Sequence, residues 1–273
     1  MKHTSFLLIV ITTSLSSLVQ SQEAAYLGFD RNSYPGDAYL KALHQTFSYS
    51  GYWLNNPPGE DTNTWIGHRA TLESAGFGFL VLFNGRLFAE LKTVAKATKL
   101  GQSDARTAAA AARREGFPAH ATIFLDQEQG GRMLPEQTAY IYAWVDGVIA
   151  AGFHAGIYCS GIPNPNDNNV VTAEDIREHA GNRQIIYWAI NDACPPAPGC
   201  SFPKHPPSPM ESGVRFAEVW QFGQSPQRKD VAGRCSNYSR DGECYALGIL
   251  AAQKIHVDIN TATSPDPSHG RSN

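Results

Sequence analysis

Eight short apolar runs punctuate the chain: 26–30 (YLGFD), 47–54 (FSYSGYWL), 77–83 (FGFLVLF), 121–126 (ATIFLD), 155–160 (AGIYCS), 184–190 (QIIYWAI), 217–222 (AEVWQF) and 254–259 (KIHVDI). Several are apolar at successive rather than alternate positions, the pattern of strands covered on both faces. The segments between them carry helical signals. In LPEQTAYIYAWVDGVIAAG, residues Ile141, Trp144, Val145, Val148 and Ile149 share one face, with Pro135 near the start and Gly152 at the stop. SDARTAAAAARREG predicts an alanine-rich helix ending at Gly116. TAEDIREHAG opens with a Thr172-x-x-Asp175 capping box and closes at Gly181. Strands alternating with helices imply right-handed parallel crossovers. Eight of them in roughly 250 residues predict an α/β fold, a single (β/α)8 TIM-type barrel. An open doubly wound sheet is the competing architecture, because periodicity does not reveal closure.

The ends of the chain read differently from its body. Residues 1–22 combine a basic start, an apolar run from Phe6 and a small-residue end at Val19-Gln20-Ser21, the layout of a secretory signal peptide. The barrel is assigned to 23–262, and the polar, proline-containing tail 263–273 is expected to be disordered. No other apolar segment reaches membrane-spanning length. A formal net charge of −3 and a pI near 6.3, without any Lys/Arg run, argue against nucleic-acid binding. The expected protein is secreted, extracellular and monomeric.

Two long irregular stretches, 193–213 and 223–246, follow the sixth and seventh predicted strands and would overhang the face where barrel active sites form. Each holds a cysteine pair. Cys194 with Cys200, and Cys235 with Cys244, are expected to form two local disulfides suited to an oxidising compartment. Zinc is the rival reading, but neither pair has the short spacing of a zinc ribbon. Cys159, within an apolar run, reads as a buried free thiol.

The candidate chemistry lies in carboxylates at strand ends. Asp30 ends the first strand, Asp126 and Glu128 the fourth, and Asp258 lies near the end of the eighth. In a barrel whose strands are all parallel these ends open on one mouth. Residues i and i+2 of a strand face the same side with Cα atoms ~6.6 Å apart. Repulsion within Asp126-x-Glu128 would raise one pKa and leave the other group ionised, a proton donor beside an anion. That pairing suits glycosidic-bond cleavage. Two of the acids also have a structural reading: Asp126 as a helix N-cap, Asp258 with Asn260 as an Asx turn. Tyr34, Trp53, Tyr158, Trp188 and Trp220 crowd strand ends, either as core or as sugar-stacking surfaces. No Gly-x-Ser-x-Gly elbow, His-Glu-x-x-His or glycine-rich phosphate loop is present.

The stretches GFD, WIGHRATLESAGFGFLVLFNG, FPAHATIFLDQEQGG, AYIYAWVDGVIAAGFHAGIYCSG, EVWQF and HVDIN resemble a glycoside-hydrolase-like TIM-barrel family of bacteria and fungi catalogued as a domain of unknown function. That family is distantly similar to the family 25 lysozymes, which share an early Gly-x-Asp, a central Asp-x-Glu, a Trp-Gln strand and a final Asp-x-Asn. The corresponding residues here are Gly28 to Asp30, Asp126 to Glu128, Trp220-Gln221 and Asp258 to Asn260. The resemblance implies Glu128 as general acid, supported by Asp126, Asp30 and Asp258, with Gln221 and Asn260 in the substrate-binding set. The segment after Asp30, RNSYPGDAY, departs from the lysozyme pattern. The expected function is hydrolysis of a cell-wall or extracellular polysaccharide, peptidoglycan first, without cofactor or bound metal. A non-catalytic carbohydrate- or wall-binding module is the alternative, and a divalent metal among the four acids a third reading.

Overall fold

The computed structural model describes residues 24–272, so the signal peptide expected over 1–22 lies outside the described residues. Strands β1 (Tyr26–Asp30), β2 (Tyr49–Trp53), β3 (Gly78–Asn84), β4 (Thr122–Asp126), β5 (His154–Ser160), β6 (Ile185–Ile190), β7 (Val219–Gly223) and β8 (Asp258–Ala262) form a closed barrel in chain order. Helices α1 (Asp37–His44), α2 (Arg69–Ser74), α3 (Phe88–Leu91), α4 (Val94–Arg114), α5 (Pro135–Ala150), α6 (Thr172–His179) and α7 (Lys229–Ala232) occupy the connections. The barrel interior is filled by large rings that need glycine opposite them. A Cβ on Gly28 would lie 2.0 Å from the Tyr49 ring, and one on Gly156 would lie 2.4 Å from that of Phe124.

One strand runs the wrong way for an all-parallel barrel. β1 through β7 are parallel, whereas β8 is antiparallel to both β7 and β1. It also begins at Asp258, four residues later than the apolar run suggests. The reason lies in residues 224–257, which contain only the short α7 and a single 3-10 turn and provide no long crossover helix. A parallel connection must carry the chain back across the barrel, usually on a helix. Here the chain leaves β7 at the mouth and re-enters there, so β8 descends. Asp258 therefore opens β8 and still lies at the mouth, opposite Asp30 in the ladder.

The helices follow their apolar faces with local differences. α4 begins at Val94, upstream of the alanine-rich stretch, because the Thr93 side chain accepts from Lys96 N at its N-cap. α5 buries Ile141, Trp144, Val145 and Val148, but Ile149 falls on the flank and is exposed. The Thr172/Asp175 capping box does not form: Val171 is the N-cap and no side chain caps the helix. Both side chains serve the loop after β4 instead. Thr172 Oγ1 accepts from Gly131 N at 2.7 Å and donates to Gly131 O, and Asp175 accepts from Met133 N at 2.8 Å.

The tail after Ala262 is ordered, contrary to the expectation of disorder. Ser268 is fully buried; its backbone accepts from Thr122 N at 2.8 Å and donates to Phe79 O at 2.9 Å, and its hydroxyl accepts from Val81 N. Asp266 accepts from the backbone N–H groups of Phe79, Gly270 and Arg271. The β3–β4 ladder starts only at Val81, so the lower part of β3 needs another partner. Buried backbone groups demand hydrogen bonds, and the polar tail supplies them.

The disulfide pairing also differs from expectation. Cys200 joins Cys244, linking the loop after β6 to the loop after β7 across a sequence separation of 44. Cys194 and Cys235 are free and pack into one cluster with Val231 and Tyr238. Short sequence spacing favours local pairs, but the two loops lie side by side over the barrel and bring the distant sulfurs together. Cys159 is buried and free, its thiol pushed up to about 12 by burial.

Candidate active site

A cavity of about 450 Å³ opens at the mouth of the barrel, and Asp30, Asp126, Glu128 and Asp258 all line it. Each is delivered by a strand end: β1 ends on Asp30, β4 on Asp126, and β8 starts on Asp258. Glu128 stands two residues beyond β4. Its loop is fixed by Gln127 N donating to Tyr158 O at 3.0 Å and by Phe88 N donating to Gln129 Oε1 at 2.6 Å. Gly131, at φ +94°, then turns the chain away.

The floor is a continuous polar network. Asp30 Oδ2 accepts from Asn260 Nδ2 at 2.7 Å and from Gln221 Nε2 at 3.0 Å. Gln221 also donates to Asp258 Oδ2 at 3.4 Å and accepts from the Tyr158 hydroxyl at 2.8 Å. Trp188 Nε1 donates to Asn260 Oδ1 at 2.9 Å, and Ser225 N donates to Asp258 Oδ1 at 2.6 Å. Five strands, β1, β5, β6, β7 and β8, are thereby tied through side chains.

Burial at the floor raises the proton affinity of three of the acids, Asp30, Asp126 and Asp258. Burial pushes Asp30 up to about 6, opposed by its bonds to Asn260 and Gln221. Asp126 is raised well above the usual carboxylate range, first by burial and then by the nearby Glu128. Asp258 is raised by burial and by Asp30. Asp126 is 5% exposed, whereas Glu128 is exposed to the cavity. Asp126 Oδ1 has no hydrogen-bond partner among the described residues, as suits a neutral carboxyl. The pair is therefore unequal, with Asp126 buried and its carboxyl raised while Glu128 faces the cavity.

The aromatic candidates divide. Trp53, Tyr158 and Trp188 line the cavity, though all three are largely buried. Tyr34 and Trp220 do not belong to it. Tyr34 stacks on His68, with centroids 3.9 Å apart, and its hydroxyl donates to Asp37. Trp220 is fully buried on the other side of β7, where its indole N–H donates to Asn191 O. Strand alternation explains this, since Gln221 faces the cavity and its neighbour must face away. Other lining residues, including Arg31, Asn32, Glu60, Ser225 and His256, are absent from the sequence-derived set. Arg31 and His256 carry one available signal: they stand one and two positions from acids at strand ends.

A closed α/β barrel with carboxyl groups gathered at its mouth defines a glycoside-hydrolase-like domain. The chain belongs to the family described as Rv2525c-like, glycoside hydrolase-like domain, which it matches over residues 48–194. No curated protein matches the sequence. Among solved structures, an uncharacterized protein of B. stearothermophilus superposes with a TM-score of 0.54 at 20% identity, covering 87% of this chain and 95% of that one. The Tat-secreted protein Rv2525c of Mycobacterium tuberculosis, in complex with L-tartrate, gives 0.51 at 13% identity, covering 89% and 97%. The modular autolysin LytC of Streptococcus pneumoniae gives 0.49 at 13% identity, covering 88% of this chain and 47% of that one. Among the described residues no helix is long and apolar enough to cross a membrane.

Proposed function

We propose that the protein is a secreted glycosidase acting on a cell-wall or other extracellular polysaccharide, with peptidoglycan the first candidate. The observation that carries this reading is the Asp126–Glu128 pair at the barrel mouth, one carboxyl buried and raised, the other open to a cavity of about 450 Å³. Glu128 is the member able to reach a glycosidic oxygen. In the proposed step a proton passes from Asp126 to Glu128 and from Glu128 to the leaving oxygen as the C–O bond breaks. The bonding electrons leave with that oxygen, and Asp126 becomes anionic as positive charge develops on the sugar ring. A buried carboxylate formed at that moment stabilises the oxocarbenium-like centre. Water then completes the hydrolysis. Asp30 and Asp258, held by Gln221, Asn260 and Ser225, shape the floor and hydrogen-bond the sugar. The Tat-secreted character of Rv2525c and the leader-like residues 1–22 support export.

Reducing ends released from purified peptidoglycan and from chitin-like polymers test the proposal. Glu128→Gln should lower the rate by ~10²–10⁴, the usual contribution of a general acid. Equal release by both proteins would overturn the assignment. Binding that survives the substitution, with no product from wild type, would favour the non-catalytic carbohydrate-binding module.

A further inference from the structure

Among the described residues, Arg31 is the one lining residue with a permanent positive charge in this acidic cavity. It follows Asp30 directly, and its loop is firmly held. Trp53 Nε1 donates to Arg31 O at 3.1 Å, Trp65 Nε1 donates to Asn32 O at 2.8 Å, and Asn32 Nδ2 donates to Pro58 O at 2.9 Å. The guanidinium itself has no hydrogen-bond partner among the described residues. Among the described residues it makes no ion pair, whereas Arg69 pairs with Glu73, Arg86 with Asp104 and Arg228 with Asp192. Burial lowers its pKa, and no carboxylate offsets that effect.

A half-buried, unpaired guanidinium on a rigid loop is costly unless something fills it. We propose that Arg31 is a specificity residue that binds a carboxylate carried by the glycan, so that the cavity selects acidic over neutral polysaccharide. A carboxylate matches the planar fork of Arg through two parallel hydrogen bonds. A singly charged group suits this place better than a phosphate dianion, because Glu60 and Glu128 line the same cavity. The two carboxyls raised furthest, Asp126 and Asp258, reduce the negative charge that such a ligand meets. The inference rests on the glycan reading given above, and it adds the class of glycan.

Calorimetric titration on the Glu128→Gln protein, which prevents turnover, tests it with two tetrasaccharides at neutral pH. One alternates glucuronate with N-acetylglucosamine; the other is the neutral N-acetylglucosamine tetramer. The acidic probe should bind about tenfold more tightly, the size of one charge-assisted hydrogen-bonded pair. Arg31→Met should abolish that gap and Arg31→Lys should retain most of it. Added salt should weaken the acidic probe selectively, a readout that needs no substitution. Equal binding of the two probes, or a gap unchanged by Arg31→Met or by salt, would overturn the proposal. Acidic preference without wild-type turnover would sink the hydrolase reading and leave Arg31 in its role; turnover without preference would do the reverse.

Discussion

Replacing Asp30 with Asn should change how stability depends on pH more than it changes the fold. Asp30 is 6% exposed, and burial holds its carboxyl at about 6, against 3.8 for the ordinary group. The native state therefore binds a proton that the unfolded chain releases over that interval. Stability is greatest below the unfolded value and falls as pH rises through about 6. The difference corresponds to roughly 3 kcal/mol between about pH 4 and pH 7. Asn at this position keeps the shape and never ionises. Any hydrogen bonding lost to Gln221 or Asn260 shifts the variant at every pH alike, so it cancels in the comparison. Asp30 also raises Asp258 and Asp126, and removing its charge flattens their contribution in the same direction. Urea unfolding of both proteins at about pH 4 and pH 7 yields the double difference. A value near 3 kcal/mol, with the variant gaining toward neutral pH, is expected. Parallel pH profiles for the two proteins would refute the reasoning.

Two further perturbations probe the scaffold. Breaking the Cys200–Cys244 link by the double substitution to Ser frees a chain segment of 44 residues, and the loop-entropy argument predicts a loss of about 4 kcal/mol in urea unfolding; an unchanged midpoint would contradict it. Asp266→Ala removes the acceptor for Phe79, Gly270 and Arg271 N–H groups and should cost about 1–3 kcal/mol in thermal denaturation, whereas a truly disordered tail would leave the melting temperature untouched.

Residues 121–126 show how much local pattern can convey. An apolar run that fills both faces of a strand and ends on a carboxylate specifies a barrel strand and the kind of group at its tip, and β4 and Asp126 follow it closely. The helix over 135–150 is legible for the same reason, since its apolar face repeats with helical period. Asp258 shows the limit. It reaches the mouth because β8 is reversed, and strand direction depends on where the preceding loop lies, which no local periodicity encodes. Thr172 and Asp175 have the spacing of a cap, yet a loop from β4 competes for both side chains and wins.

By itself, then, the sequence determined eight strands separated by helices and placed its candidate acids at strand ends, because apolar periodicity and strand punctuation are properties of neighbours along the chain. Only the tertiary structure decided that the sheet closes, that β8 runs antiparallel, that Cys200 meets Cys244, that the tail completes the lower edge of β3, and that Asp126 rather than Glu128 is buried. Each of these is set by distances between residues far apart in the chain, and by how much water the assembled barrel leaves around each charge.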